Sequence, residues 1–88
     1  MLEPKLMKSF KKDVKKLKKR QKDMEKLKTV IELLLSETPL DSSYKNHPLH
    51  GEYAGDMECH IEPDWLLIYY MEDGFLYLVR TGTHSDLF

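Results

Sequence analysis

Trp65-Leu66-Leu67-Ile68-Tyr69-Tyr70-Met71-Glu72-Asp73-Gly74-Phe75-Leu76-Tyr77-Leu78-Val79-Arg80-Thr81 decides the fold. Aromatic and branched side chains dominate both halves of this stretch, which is the composition of β-strand. Glu72-Asp73-Gly74 between them is a tight-turn signal, so Trp65–Met71 and Phe75–Thr81 pair as a hairpin. From Trp65 to Tyr70 no residue is charged and neither strand face is polar. Such a strand belongs at the centre of a sheet, covered on one side and partly on the other.

Working outward, Met57–Ile61 reads as a third strand and Glu52–Ala54 as a fourth. Pro39 closes off helical structure upstream. Before it, Met7, Phe10, Val14 and Leu17 recur at intervals of three and four, one face of a helix. Ser9 is the expected cap. A break over Lys19–Asp23 separates a second stripe through Met24, Leu27, Val30, Ile31, Leu34 and Leu35, ending near Ser36. Leu2–Met7 contains Pro4 and suits an edge strand or an extended lead-in. The expectation is an α+β domain: two antiparallel amphipathic helices packed on one face of a small antiparallel sheet. Residues 1–88 form a single domain, with no internal repeat and no low-complexity linker.

The chain has 88 residues, 41% hydrophobic and 33% charged, too apolar for a disordered chain and too short for a wide internal cavity. Its longest apolar run, Trp65–Met71, is far below a membrane span, and the N-terminus lacks the apolar core of a signal peptide. A cytoplasmic protein with no membrane partner is therefore expected. Cys59 is the only cysteine, which excludes an internal disulfide.

The net charge of −1 conceals a division. Met1–Val30 carries eleven Lys and Arg20 against four acidic residues, a net +8. Ile31–Phe88 carries eleven acidic residues against Lys45 and Arg80, a net −9. A basic face for a polyanion beside an acidic remainder is the functional reading, and a solvated helix surface is the bland one.

All four histidines, His47, His50, His60 and His84, lie in the acidic half. Alternation sets His60 with Asp56 and Glu58, opposite Met57, Cys59 and Ile61. A metal site is not expected, because Pro48 interrupts His47 and His50 and the Cys59-His60 side chains face opposite ways. Metal-free cleavage of RNA suits the inventory better. A base removes the 2′-OH proton, an acid protonates the leaving 5′-oxygen, and a cation offsets charge on the phosphoryl oxygens. Imidazole titrates near neutrality and the planar Arg fork matches phosphate.

Four segments then carry a resemblance: Ser9-Phe10-Lys11-Lys12-Asp13-Val14-Lys15-Lys16, Tyr44-Lys45-Asn46-His47-Pro48-Leu49-His50-Gly51, His60-Ile61-Glu62-Pro63-Asp64-Trp65-Leu66-Leu67-Ile68-Tyr69 and Arg80-Thr81-Gly82-Thr83-His84-Ser85-Asp86-Leu87-Phe88. In order and spacing the chain resembles the YafQ branch of the RelE/ParE toxin superfamily over nearly its whole length. The resemblance implies a type II toxin that cuts mRNA in the ribosomal A site, without a cofactor. It implies a cognate antitoxin with a toxin-wrapping segment, which would bring the pair to operator DNA. By the same resemblance His84 is the general acid. His60 and Asp64 form the base side, directly or with one orienting the other. Arg80 holds the scissile phosphate, Trp65 and Phe88 stack on or steer a base, and His47 takes part in a role left open. Lys11, Lys12, Lys15 and Lys16 would grip ribosomal RNA.

Plainer readings stand beside these. Trp65 can be core, Phe88 a terminal anchor, Asp64 a turn residue and His50 an exposed turn histidine. Relatives commonly carry a basic residue just before the His60 position, where Gly55-Asp56-Met57-Glu58-Cys59 has none. The alternatives in function are a gyrase-inhibiting toxin of the ParE type, or a degenerate toxin serving only as antitoxin partner and co-repressor.

Overall fold

The computed structural model describes Met1–Phe88. In chain order it contains β1 (Glu3–Leu6), α1 (Lys8–Lys19), α2 (Met24–Leu35), β2 (His47–Pro48), β3 (Met57–Glu62), β4 (Trp65–Glu72), β5 (Phe75–Gly82) and α3 (His84–Leu87). Single 3-10 turns occupy Ser42–Tyr44 and Gly51–Tyr53. The second replaces the strand expected at Glu52–Ala54. Gly51 and Gly55, at φ +70° and +96°, bend the chain on either side and leave too few residues between them to pair.

The sheet runs β1-β5-β4-β3-β2. β3, β4 and β5 form the expected antiparallel meander around the Asp73-Gly74 turn. Leu2–Met7 does supply an edge strand, yet β1 runs parallel to β5, from Glu3 beside Phe75 to Leu6 beside Leu78. The sheet is therefore mostly antiparallel with one parallel edge. A parallel neighbour needs a long crossover, and everything between β1 and β5 provides it.

β4 is the strand with two covered faces. Trp65, Leu67 and Tyr69 join Phe10, Leu17, Leu27, Val30, Leu34, Cys59, Leu76 and Leu78 in the main core beneath α1 and α2. Each such large side chain contributes roughly 1.5–3 kcal/mol when fully buried. Leu66 and Ile68 point the other way, where Leu87 of α3 closes a smaller cluster with Leu49, Tyr53 and Val79 at its margin. That second cover is partial, and the rest of this face is where the polar groups gather.

Ser9 does not cap α1. Met7 occupies the cap position without a side-chain bond, and Ser9 Oγ donates to the Val79 carbonyl at 2.8 Å, tying α1 to β5. Asp23 does cap α2, accepting from the Glu25 amide at 3.1 Å. No helix is long and apolar enough to cross a membrane.

Candidate active site

The partly covered face of the sheet brings three of the four histidines into a row. His47 comes from β2 and His60 from β3, with ring centres 6.3 Å apart. His84 opens α3 and lies 5.8 Å from His60, edge to face. β-sheet register explains the first pair: His47 stands opposite Glu58, two residues from His60 on the same strand face. His50 is exposed and outside the row.

Glu58 sits between His47 and His60. Its side chain is only 6% exposed, and Oε1 lies 3.4 Å from His47 Nε2 and 3.2 Å from His60 Nε2. His47 Nδ1 faces the Lys45 carbonyl at 2.7 Å. Glu58 lies against the Nε2 side of the His60 ring, and Nδ1 is turned away from it. Glu58 escaped the expected site residues, although strand alternation had already set it beside His60.

Asp64 belongs to the other end. Its Oδ1 accepts from the His84 backbone amide at 2.9 Å and meets His84 Nδ1 at 2.5 Å. Of the two groups expected together on the base side, directly or with one orienting the other, Asp64 bonds His84 instead, and the carboxylate beside His60 is that of Glu58. The turn Pro63-Asp64 carries the carboxylate toward α3 rather than along β3. The His84 amide, then its ring, lower the Asp64 carboxyl below the usual carboxylate range.

α3 is held in place at both ends. Thr83 and Asp86 form a capping box, with Thr83 N to Asp86 Oδ2 at 2.9 Å and Asp86 N to Thr83 Oγ1 at 3.2 Å. Arg20 grips Asp86 with two bonds of 2.7 and 3.0 Å. The Arg20 guanidinium above all, helped by the Thr83 amide, drives the Asp86 carboxyl strongly downward. Gly82 makes this fold-back possible, since a Cβ there would lie 2.9 Å from Asp86 Oδ2.

Arg80 is fixed from beneath. Asp13 on α1 takes Nε at 2.6 Å and Nη2 at 3.1 Å, and also accepts from the Thr81 amide at 3.1 Å. Those bonds to Asp13 raise the guanidinium above its ordinary value. Nη1 is spared, with only a 3.5 Å contact to Tyr53 Oη. Asp13 too was missed, although its spacing from Phe10 and Leu17 repeats the buried stripe of α1.

Phe88 remains 64% exposed and packs edge-on against Tyr53 at 5.6 Å, leaving ring surface free. Trp65 does not. It is wholly buried, with Nε1 donating to Thr81 Oγ1 at 2.9 Å, so the expectation that it stacks on a base is corrected to a core role. Its place on the inward phase of β4 decides this. Lys11, Lys12, Lys15 and Lys16 are all exposed on α1 and enter no ion pair. No three His, Cys, Asp or Glu side chains are grouped so as to hold a metal ion. Cys59 is buried, and desolvation pushes its thiol up to about 12, which leaves it unreactive.

Two imidazoles facing one gap, a fixed guanidinium with a spare donor and an exposed aromatic ring are the groups that acid–base cleavage of a phosphodiester would use. Comparison with known proteins gives the family. The family model described as the bacterial toxin of type II toxin–antitoxin systems, YafQ, matches residues 2–88. The mRNA interferase toxin YafQ of Escherichia coli strain K12 is 51% identical over 80 residues, 90% of this chain and 87% of that protein. The crystal structure of the E. coli DinJ–YafQ complex contains a chain similar at a TM-score of 0.92 and 46% identity, covering 100% of this chain and 99% of that one. A copper-bound mutant toxin from Helicobacter pylori is similar at a TM-score of 0.94 and 43% identity over the whole of both chains.

Proposed function

The chain belongs to the YafQ family of type II toxins, and on that premise we propose that residues 1–88 are one ribosome-dependent endoribonuclease domain acting in the cytoplasm. The observation that carries this reading is the His60–His84 pair across a 5.8 Å gap, His84 bonded to Asp64 and His60 beside the carboxylate it shares with His47.

In the reaction, the ribose 2′-oxygen attacks the adjacent phosphorus. The bond from phosphorus to the 5′-oxygen breaks, leaving a 2′,3′-cyclic phosphate and a 5′-hydroxyl. His60 takes the 2′-OH proton at Nδ1, while Glu58 holds the opposite nitrogen and stabilises the imidazolium formed. His84, oriented through Nδ1 by Asp64, delivers a proton from Nε2 to the leaving oxygen. Arg80 offers Nη1 to a non-bridging oxygen, its other donors being committed to Asp13. His47 supports the base side through Glu58. Phe88 stacks on a neighbouring base, and Lys11, Lys12, Lys15 and Lys16 face ribosomal RNA.

This assignment favours a nuclease over a gyrase inhibitor, which would have no use for two oriented imidazoles. A cognate antitoxin, as in the DinJ–YafQ complex, would silence the toxin and carry it to operator DNA.

Primer extension on an mRNA under cell-free translation tests the reading. Cuts within codons should need both translating ribosomes and the wild-type protein, and His84→Ala should abolish them. Equal cutting by the variant would remove His84 as the acid. No cutting by folded wild-type protein would overturn the nuclease.

A further inference from the structure

Beside His60, on the flank away from Arg80, lies a cleft of about 380 Å³. Ser43, Tyr44 and Lys45 form one wall and His60, Glu62 and Pro63 part of the other. Its size falls within the roughly 300–1,000 Å³ of small-molecule sites. The cleft exists because β2 pairs with β3 only at Met57 and Glu58. From Cys59 onward the outer edge of β3 has no strand partner, and the Ser42–Tyr44 turn stands across the gap.

This wall is built rather than loose. Asp41 accepts from the Ser43 amide at 3.0 Å. Lys45 closes the turn in the left-handed conformation, at φ +48°. Asn46 Nδ2 bonds the Glu58 carbonyl at 3.1 Å and Tyr69 Oη at 2.7 Å, locking the loop to β3 and β4. The result is an exposed, unpaired cation carried on a backbone fixed at the cleft: Lys45 enters none of the ion pairs of the molecule. Glu62, the acid in the opposite wall, is already neutralised by Lys22 at 3.2 Å and Lys26 at 2.9 Å. Those two ammonium groups, Lys26 first, lower its carboxyl below the usual range.

We propose that this cleft is a second nucleotide subsite, which takes the nucleotide on the His60 side of the scissile phosphate and holds that nucleotide's phosphate on Lys45. Lys45 and Arg80 are the only cations after Ile31. They flank the histidine row, Arg80 two strands inward from His60 on β5 and Lys45 outside β3. A strand of RNA crossing the row thus meets a cation on each side. The open edge of β3 and the Ser43 hydroxyl are left to contact base or ribose. The inference rests on the nuclease reading for its substrate and deepens it.

Two measurements test it. The first titrates isotope-labelled protein with a 2′-O-methyl trinucleotide, which cannot be cleaved, and follows amide NMR signals. Shifts at Ser43, Tyr44, Lys45 and Ile61 are expected, and they should weaken in Lys45→Gln. The second measures ribosome-dependent cleavage by Lys45→Gln and Lys45→Arg. KM should rise about fivefold in the first with kcat within about twofold, and return in the second. Shifts confined to β5 and α3, or an unchanged KM in Lys45→Gln, would overturn the subsite. Shifts at the cleft together with no ribosomal cleavage by the wild type would sustain the subsite and sink the nuclease reading instead.

Discussion

Arg80 and His84 lie four residues apart, each held by one carboxylate, and the two carboxylates live in opposite surroundings. Asp13 is 7% exposed and binds Arg80 from the core side of the sheet. Asp64 is 65% exposed and binds His84 from a surface turn. A cation that must only stay in place is anchored from within. In the proposed mechanism the imidazole that must exchange its proton is the one steered from the water side, where the carboxylate stays ionised. Glu58, as buried as Asp13, lies on the proposed base side, where water would compete for the 2′-OH proton.

Removing Asp13 should break the comparison most visibly. Asp13→Ala orphans two guanidinium donors and the Thr81 amide, and loss of one partner of a buried pair costs about 3 kcal/mol or more. At roughly 4–8 °C per kcal/mol for a domain this size, calorimetry should show Tm falling by more than about 10 °C. A fall of only a degree or two would mean that Asp13 is no anchor. Arg80→Lys comes next. It keeps a charge over Asp13 but has no fork to serve Asp13 and phosphate together, so single-turnover cleavage should fall about 10²-fold with a smaller loss of Tm.

Asp64→Asn should leave stability within about 0.5 kcal/mol of wild type, as expected for an exposed site. Cleavage should drop by about tenfold in low salt, and less in high salt, because an exposed pair is screened. A drop as large as that of His84→Ala would place Asp64 in the chemistry itself. The smallest effect concerns Arg20. The Asp86 carboxyl is depressed in the fold, so its contribution is complete above the unfolded value near 3.9 and is lost as pH falls below it. Arg20→Ala should lower Tm modestly at pH 7, and the gap to wild type should shrink below about pH 4. A gap independent of pH would uncouple Arg20 from Asp86.

Both helices and the β3–β4–β5 meander were legible because each is written in local periodicity or a local turn, whereas Leu2–Met7, with neither, suits either an edge strand or an extended lead-in. β2 was not, since His47–Pro48 is two residues with no pattern of its own and exists only by pairing with Glu58 and Met57. α3 was hidden for a similar reason. Four residues carry no helical period, and the Thr83–Asp86 box shows its meaning only once Gly82 has turned the chain back. Phe88 remained exposed as a stacking residue requires, whereas Trp65 was taken inward by its phase on β4. One chemical label covers two aromatics, and burial separates them.

The sequence by itself determined the α+β class and the basic and acidic halves, because composition and short-range spacing suffice for these, while His47, His60, His84 and Arg80 were singled out only by resemblance to a family. Only the tertiary structure decided the partnerships. Asp13 meets Arg80 across 67 positions, Asp64 meets His84 across 20, and His47 and His60 share Glu58 across a strand pair. Hydrogen bonds and ion pairs act over a few ångströms of space, and no local pattern in a chain records which distant residue the fold will bring within that reach.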